Sequence, residues 1–108
     1  LGYPPFLRMA NLLFDGATEE HVIAGADWIA TRLSKLSSCD TGELRLLGPA
    51  PQPLSRLKGK FRWHLALQAS RHRLLNEACA MALAEWGERE RTFAGVRLSV
   101  DMDPIDLL

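Results

Sequence analysis

The chain has 108 residues, 47% of them hydrophobic, with thirteen Lys or Arg against thirteen Asp or Glu. That length and apolar content describe one folded domain with one core and exclude a disordered chain. The balanced charge excludes a uniformly basic or acidic protein, so any electrostatic footprint must be local. No apolar run approaches the roughly 18 residues of a membrane span, and no signal-peptide pattern opens the chain. Cys39 and Cys79 stand far apart, and with His21, His64 and His72 they form no zinc-ligand spacing. Two idle or buried thiols in a reducing compartment is the favoured reading, with one disulfide left open.

The chain starts at Leu1 without a methionine and runs into Tyr3-Pro4-Pro5, so residues 1–5 read as a stiff linker from a longer protein. Phe6 to Phe14 is the first strand candidate, ended by Asp15-Gly16. Thr18 is placed to cap a helix, with Glu19 and Glu20 in its first turn, where the macrodipole favours acid. Val22, Ala26, Ile29, Leu33 and Leu36 then mark one apolar stripe running to about Ser37. Ser38 to Gly42 reads as a loop and Leu44 to Leu47 as a short second strand. Gly48-Pro49-Ala50-Pro51-Gln52-Pro53 cannot be helix interior, because three prolines fix φ and remove three donors; an extended, polyproline-like connection is predicted. Phe61, Trp63, Leu65 and Leu67 alternate with Arg62, His64, Ala66 and Gln68, the pattern of a half-buried third strand.

Ser70 can cap a second helix, whose stripe is Leu75, Cys79, Ala82 and Trp86, with Leu74, Ala78 and Met81 beside it and Gly87 at its end. Glu88 to Arg91 is a solvated charge run. Val96, Leu98, Val100 and Met102 alternate with Arg97, Ser99 and Asp101 as a fourth strand, closed by Asp103-Pro104. The order strand, helix, strand, strand, helix, strand predicts an α+β, ferredoxin-like βαββαβ sandwich. Such a fold has a four-stranded antiparallel sheet with two helices on one face. The other face is then open, with Arg62, His64, Gln68 and Arg97 among its residues.

Charge is distributed unevenly. From Leu44 to Asn76 the chain carries seven Lys or Arg and no carboxylate, and Arg56, Lys58, Lys60 and Arg62 crowd into seven residues. A charge run is ordinarily a solvated face, but this asymmetry sets up a local field suited to an anionic partner. Arg71-His72-Arg73 opens the second helix, where positive charge opposes the macrodipole by roughly 0.3–1 kcal/mol per residue. Either the arginine stems cover the core, or Arg71 and Arg73 join free backbone N–H groups in an anion site for a phosphate or a peptide carboxylate. Trp63 shares the apolar phase and reads as core; Trp28 and Trp86 read as packing or domain-contact residues. Asp101 and Asp103 are a weak metal or acid-base signal beside a strand-end turn. No phosphate loop or nucleophile elbow occurs, so no catalytic residue is assigned.

These pieces together resemble the C-terminal domain of primosomal protein N′, from the PriA family of bacterial replication-restart DNA helicases. The resemblance lies in Tyr3-Pro4-Pro5-Phe6, Leu47-Gly48-Pro49-Ala50-Pro51, Lys58-Gly59-Lys60-Phe61-Arg62-Trp63 and Asp101-Met102-Asp103-Pro104, in the family's order over the whole chain. Gln52, Lys60-Phe61 and His64 depart from it mildly. The resemblance implies a linker at 1–5 from a preceding helicase lobe and a single DNA- and protein-binding domain over 6–108. It implies a cytoplasmic protein whose whole form unwinds DNA 3′ to 5′ with ATP and magnesium and holds zinc. Those motifs lie outside this segment, which holds no cofactor and no metal of its own.

The implied partners are forked or branched DNA, the acidic C-terminal tail of single-stranded-DNA-binding protein, the helicase lobes and other primosome proteins. Arg56, Lys58, Lys60 and Arg62 are assigned to DNA. Arg71 matches a tail-binding arginine across a one-residue gap, and Arg73 is placed beside it. The alternative is a structural dock that orients the helicase lobes without touching DNA, which an exposed Trp28 and Trp86 would favour. An RNA-recognition module shares the topology but needs exposed aromatics on its central strands. A regulatory small-molecule domain would need glycine-rich loops in place of this proline-rich, basic one.

Overall fold

The computed structural model describes residues 8–89, 92–93 and 95–102, without the side chains of residues 54–57. Among the described residues, four strands and three helices follow in the order β1 (Arg8–Gly16), α1 (Glu19–Leu33), α2 (Ser37–Asp40), β2 (Leu44–Leu57), β3 (Lys60–Ala69), α3 (His72–Arg89) and β4 (Val96–Met102). The strands form one antiparallel sheet in the order β2-β3-β1-β4. That is the predicted ferredoxin-like arrangement, with the one-turn α2 added where a loop was expected. The predicted linker at 1–5, the start of the first strand at Phe6 and the closing Asp103-Pro104 fall outside the described residues.

One phase of each strand is buried against α1 and α3. Ala10, Leu12 and Phe14 of β1, Leu65 and Leu67 of β3 and Val96 of β4 meet Val22, Ala26, Ile29 and Leu33 of α1 and Leu75, Ala78, Cys79, Ala82 and Trp86 of α3. Each fully buried aliphatic or aromatic side chain contributes about 1.5–3 kcal/mol. Trp86 sets its edge on Phe14, with ring centres 5.6 Å apart, and stacks on Phe93 at 5.2 Å. Gly25 lies under that indole: a Cβ there would stand 2.6 Å from the ring, so α1 approaches α3 this closely only with glycine. A two-point ion pair from Arg32 to Glu85, 2.9 Å at each contact, ties the outer faces of the helices.

Three local expectations are corrected. First, the proline segment is not a connection between strands. It is the middle of a 14-residue edge strand, β2, which pairs with β3 before and after it. An edge strand tolerates proline because its outer N–H groups have no partner to lose. The surplus length is absorbed by two irregularities, one between Leu47 and Ala50 and a larger one between Pro51 and Arg56.

Second, Ser70 does not cap α3: Arg71 holds the position before the helix, its carbonyl accepts from the Leu75 N–H at 3.4 Å, and the Ser70 Oγ is buried without a partner among the described residues. Thr18 stands at the start of α1 with extended backbone but makes no capping bond through its side chain. Third, helix bounds shift. The first helix stops at Leu33, short of Ser37, where the Ser34 hydroxyl bonds the Thr31 carbonyl at 2.7 Å. The second runs through Gly87 to Arg89. Strand β1 likewise extends through Asp15 and Gly16, because both residues still pair with β3 and β4.

Candidate functional site

The sheet ends in a two-residue hairpin between β2 and β3, in which Leu57 pairs with Lys60 and Lys58-Gly59 make the turn. Both turn residues have positive φ, 54° and 77°, as a type I′ turn requires. Glycine takes that conformation freely, whereas a lysine in it is strained by about 1–2 kcal/mol. The hairpin therefore holds a positive charge at a place where Asn or Gly would fold more easily.

Next to the turn, the register aligns one row across three strands: Arg62 of β3 pairs with Asp15 of β1, which pairs with Arg97 of β4. Asp15 is 9% exposed. It accepts a hydrogen bond from Arg97 at 3.1 Å, and the Lys60 ammonium stands 4.0 Å from its other oxygen. That second oxygen, Oδ1, is buried with no hydrogen-bond partner among the described residues. Lys58, Lys60, Arg62, Arg97 and Asp15 together line a cavity of about 320 Å³. Four cations thus surround one carboxylate, and among the described residues Lys58 and Arg62 enter no ion pair. A site with this surplus of positive charge attracts anions, and guanidinium groups suit phosphate in particular.

Arg56 pairs in register with Phe61, and its side chain lies outside the described residues. Of the four residues assigned to DNA from the sequence, Lys58, Lys60 and Arg62 come together. Arg97 and Asp15 complete the cluster. Arg97 was visible only as a residue on the wet phase of the fourth strand, and Asp15 only as a strand terminator. Their meeting depends on β1 lying between β3 and β4, which no local pattern states.

Arg71 and Arg73 stand at the opposite end of β3. Arg71 is exposed and makes no ion pair among the described residues. Arg73 pairs with Glu77 one turn along α3 at 3.0 Å. Glu43 and Glu77 share with Arg73 a cavity of about 230 Å³, so its wall carries acid as well as base. Trp63 is half-buried and its indole N–H donates to Glu19 at 3.2 Å; it is packing, as expected. Trp86 is buried, and Trp28 lies beneath the guanidinium groups of Arg32 and Arg89, 5.6 and 5.8 Å from its ring. The middle of the open face carries His64, whose Nδ1 is 3.3 Å from Asn11 Oδ1, and Gln68. Among the described residues its two central strands present no aromatic there, whereas an RNA-recognition module stacks bases on aromatics at those positions.

Both thiols are free, and burial pushes them up from the ordinary thiol range. Among the described residues no three His, Cys, Asp or Glu converge as a metal site, and no helix is long and apolar enough to cross a membrane.

Fold and site define a small α+β domain with an anion-attracting end and no assigned catalytic group. The chain belongs to the primosomal protein N C-terminal domain family, whose model matches residues 1–105. It is 32% identical over 108 residues to the replication restart protein PriA of Haemophilus influenzae, covering 99% of this chain and 14% of that relative's length. The fold is also similar to a de novo designed protein, Foldit4, at TM-score 0.59 and 9% identity over 89% of this chain and 94% of that one. A likeness at that identity speaks for the fold alone.

Proposed function

We propose that this chain is the C-terminal, DNA-binding domain of a replication-restart helicase, and that it grips the phosphate backbone of forked or branched DNA with the hairpin end of its sheet. The observation that carries the reading is the cavity lined by Lys58, Lys60, Arg62 and Arg97 against a single carboxylate. The strained lysine at the turn supports it, because local stability alone favours another residue there. Phosphate contacts of this kind set position and affinity and carry no base sequence.

At the other end of β3, Arg71, which is exposed and makes no ion pair among the described residues, supports a second contact, with the acidic C-terminal tail of single-stranded-DNA-binding protein. Arg73 contributes less to it, being partly neutralised by Glu77. ATP, magnesium and zinc belong in this reading to the whole cytoplasmic protein, as do the helicase lobes and other primosome partners. The purely structural dock is disfavoured because neither Trp28 nor Trp86 is laid open.

The test is fluorescence anisotropy of the 108-residue chain with a labelled fork and a matched duplex across a salt series. Binding should weaken steeply with salt. Lys58→Glu with Lys60→Glu should cut affinity at least tenfold and lower the salt slope by about two, one for each lost phosphate contact. Unchanged affinity in that variant would move the DNA site elsewhere.

A further inference from the structure

We propose that the outer edge of β4 pairs with the same strand of a second copy of this chain, joining two four-stranded sheets into one of eight. β4 ends the sheet. Its inner edge pairs with β1 without interruption from Val96 to Met102, and among the described residues no strand pairs with its outer edge. Such an edge presents a row of N–H and C=O groups ready to accept another strand, and proteins block it with proline, bulges or inward-pointing charge. The opposite edge is blocked in this way: β2 carries Pro49, Pro51 and Pro53 and two breaks of register. β4 reads Val-Arg-Leu-Ser-Val-Asp-Met, with no proline, no break of register and no charge on its helix-facing phase.

The charges of β4 select the occupant. A twofold axis at Ser99 is the arrangement that pairs all seven strand residues, and it makes the interface self-complementary. It sets Arg97 of each copy opposite Asp101 of the other, Leu98 opposite Val100, and Val96 opposite Met102. Arg97 and Asp101 share the open face with Ser99, so the dimer gains two cross-strand pairs of opposite charge. Both side chains are available. Arg97 is 73% exposed and donates a single N–H to Asp15, which leaves other donors of its guanidinium in reach. Asp101 is exposed and makes no ion pair among the described residues. On the other face Leu98, Val100 and Met102 are only partly buried against the core, and a neighbouring strand covers their outer sides. A foreign extended segment would have to bring an acid and a base four residues apart in the matching order. This chain already carries that complement. The antiparallel pairing also points the two basic hairpin ends in opposite directions, since Val96 lies at that end of the sheet and Met102 at the other. The inference stands apart from the DNA reading, which concerns the hairpin end of one copy.

The experiment is sedimentation velocity of the 108-residue chain from about 10 μM to about 1 mM, the range of weak association. The sedimentation coefficient should rise with concentration from monomer toward dimer. Asp101→Arg sets like charges opposite one another twice and should weaken self-association at least about tenfold. Arg97→Asp should do the same. An equimolar mixture of these two variants should dimerise again, because every acid of one then faces a base of the other. Arg97→Asp also removes a partner of Asp15, so circular dichroism checks that each variant folds. Amide NMR of the unaltered chain gives a second reading: signals that shift with concentration should lie in Val96–Met102. A chain that stays monomeric throughout the range would overturn the proposal, as would dimers undiminished by Asp101→Arg. Two folded variants that do not associate when mixed would also overturn it. Shifts confined to β2, or to α3 around the exposed Leu83, would place the contact on another surface and overturn it equally.

Discussion

Lys58 is a residue whose local and functional preferences point in opposite directions. Its φ of 54° is left-handed, and Asn at that position would relieve part of the strain. Lys58→Asn should therefore raise the free energy of unfolding by about 0.5–1 kcal/mol and still weaken DNA binding several-fold. Urea titration and anisotropy on the same preparation read the two effects separately. A variant that is more stable and binds equally well would show that the lysine is there for neither reason. Asp15 is a second residue of this kind. Buried between two cations, it holds Lys60 and Arg97 toward one cavity, and it lowers the net charge that the cavity presents.

Among the elements, α1 and α3 depend on one another through two contacts of different character. The close approach over Gly25 is steric, and the Arg32–Glu85 pair is electrostatic. The hydrogen bond and charge of Arg32 hold the Glu85 carboxyl below the ordinary carboxylate range, against a smaller opposing effect of burial. A carboxyl lowered in the folded state stabilises the fold above its unfolded pKa. The contribution disappears as the pH falls through the lowered value. Glu85→Gln should thus lower the melting temperature slightly at about pH 7, and the difference between the two proteins should shrink as the pH falls through the lowered value. Equal melting temperatures for the two proteins throughout that range would mean that the pair, being only half-buried, contributes nothing measurable. The edge strand β2 shows a different economy: its prolines leave the sheet one side on which a further strand cannot readily pair.

At the scale of the whole molecule, the two basic sites are far apart. Arg62 and Ala69 are seven strand residues apart, or about 24 Å, and Arg71 lies beyond the end of the strand. Beyond two Debye lengths at physiological salt, exposed charges act independently. Arg71→Glu should therefore reduce binding of the acidic tail at least tenfold and change fork affinity by less than twofold. The Lys58→Glu, Lys60→Glu variant should do the reverse. Competition between tail and fork, with equal losses in both variants, would show a single shared anion surface. Isothermal titration with the peptide, beside the DNA anisotropy, distinguishes these outcomes.

What the sequence by itself determined is what repeats along the chain. The alternation from Phe61 to Gln68 and from Val96 to Met102, and the stripes Val22–Ala26–Ile29–Leu33 and Leu75–Cys79–Ala82–Trp86, specify two strands, two helices and their buried faces through local periodicity. Their order narrows the topology to the sheet that forms. The family motifs and the basic run around Lys58 were legible for the same reason, being contiguous. The proline segment was misread because its residues forbid helix and say little about pairing; only the unpartnered edge of β2 made room for them in the sheet. Ser70 was assigned a cap on residue type, but the helix began one residue later and left its hydroxyl unused. Only the tertiary structure decided the site. Asp15, Arg62 and Arg97 are distant in sequence and become neighbours because β1 is inserted between β3 and β4. Register across strands is set by the packing of the whole sheet on its helices, and that information is not present in any single stretch of chain.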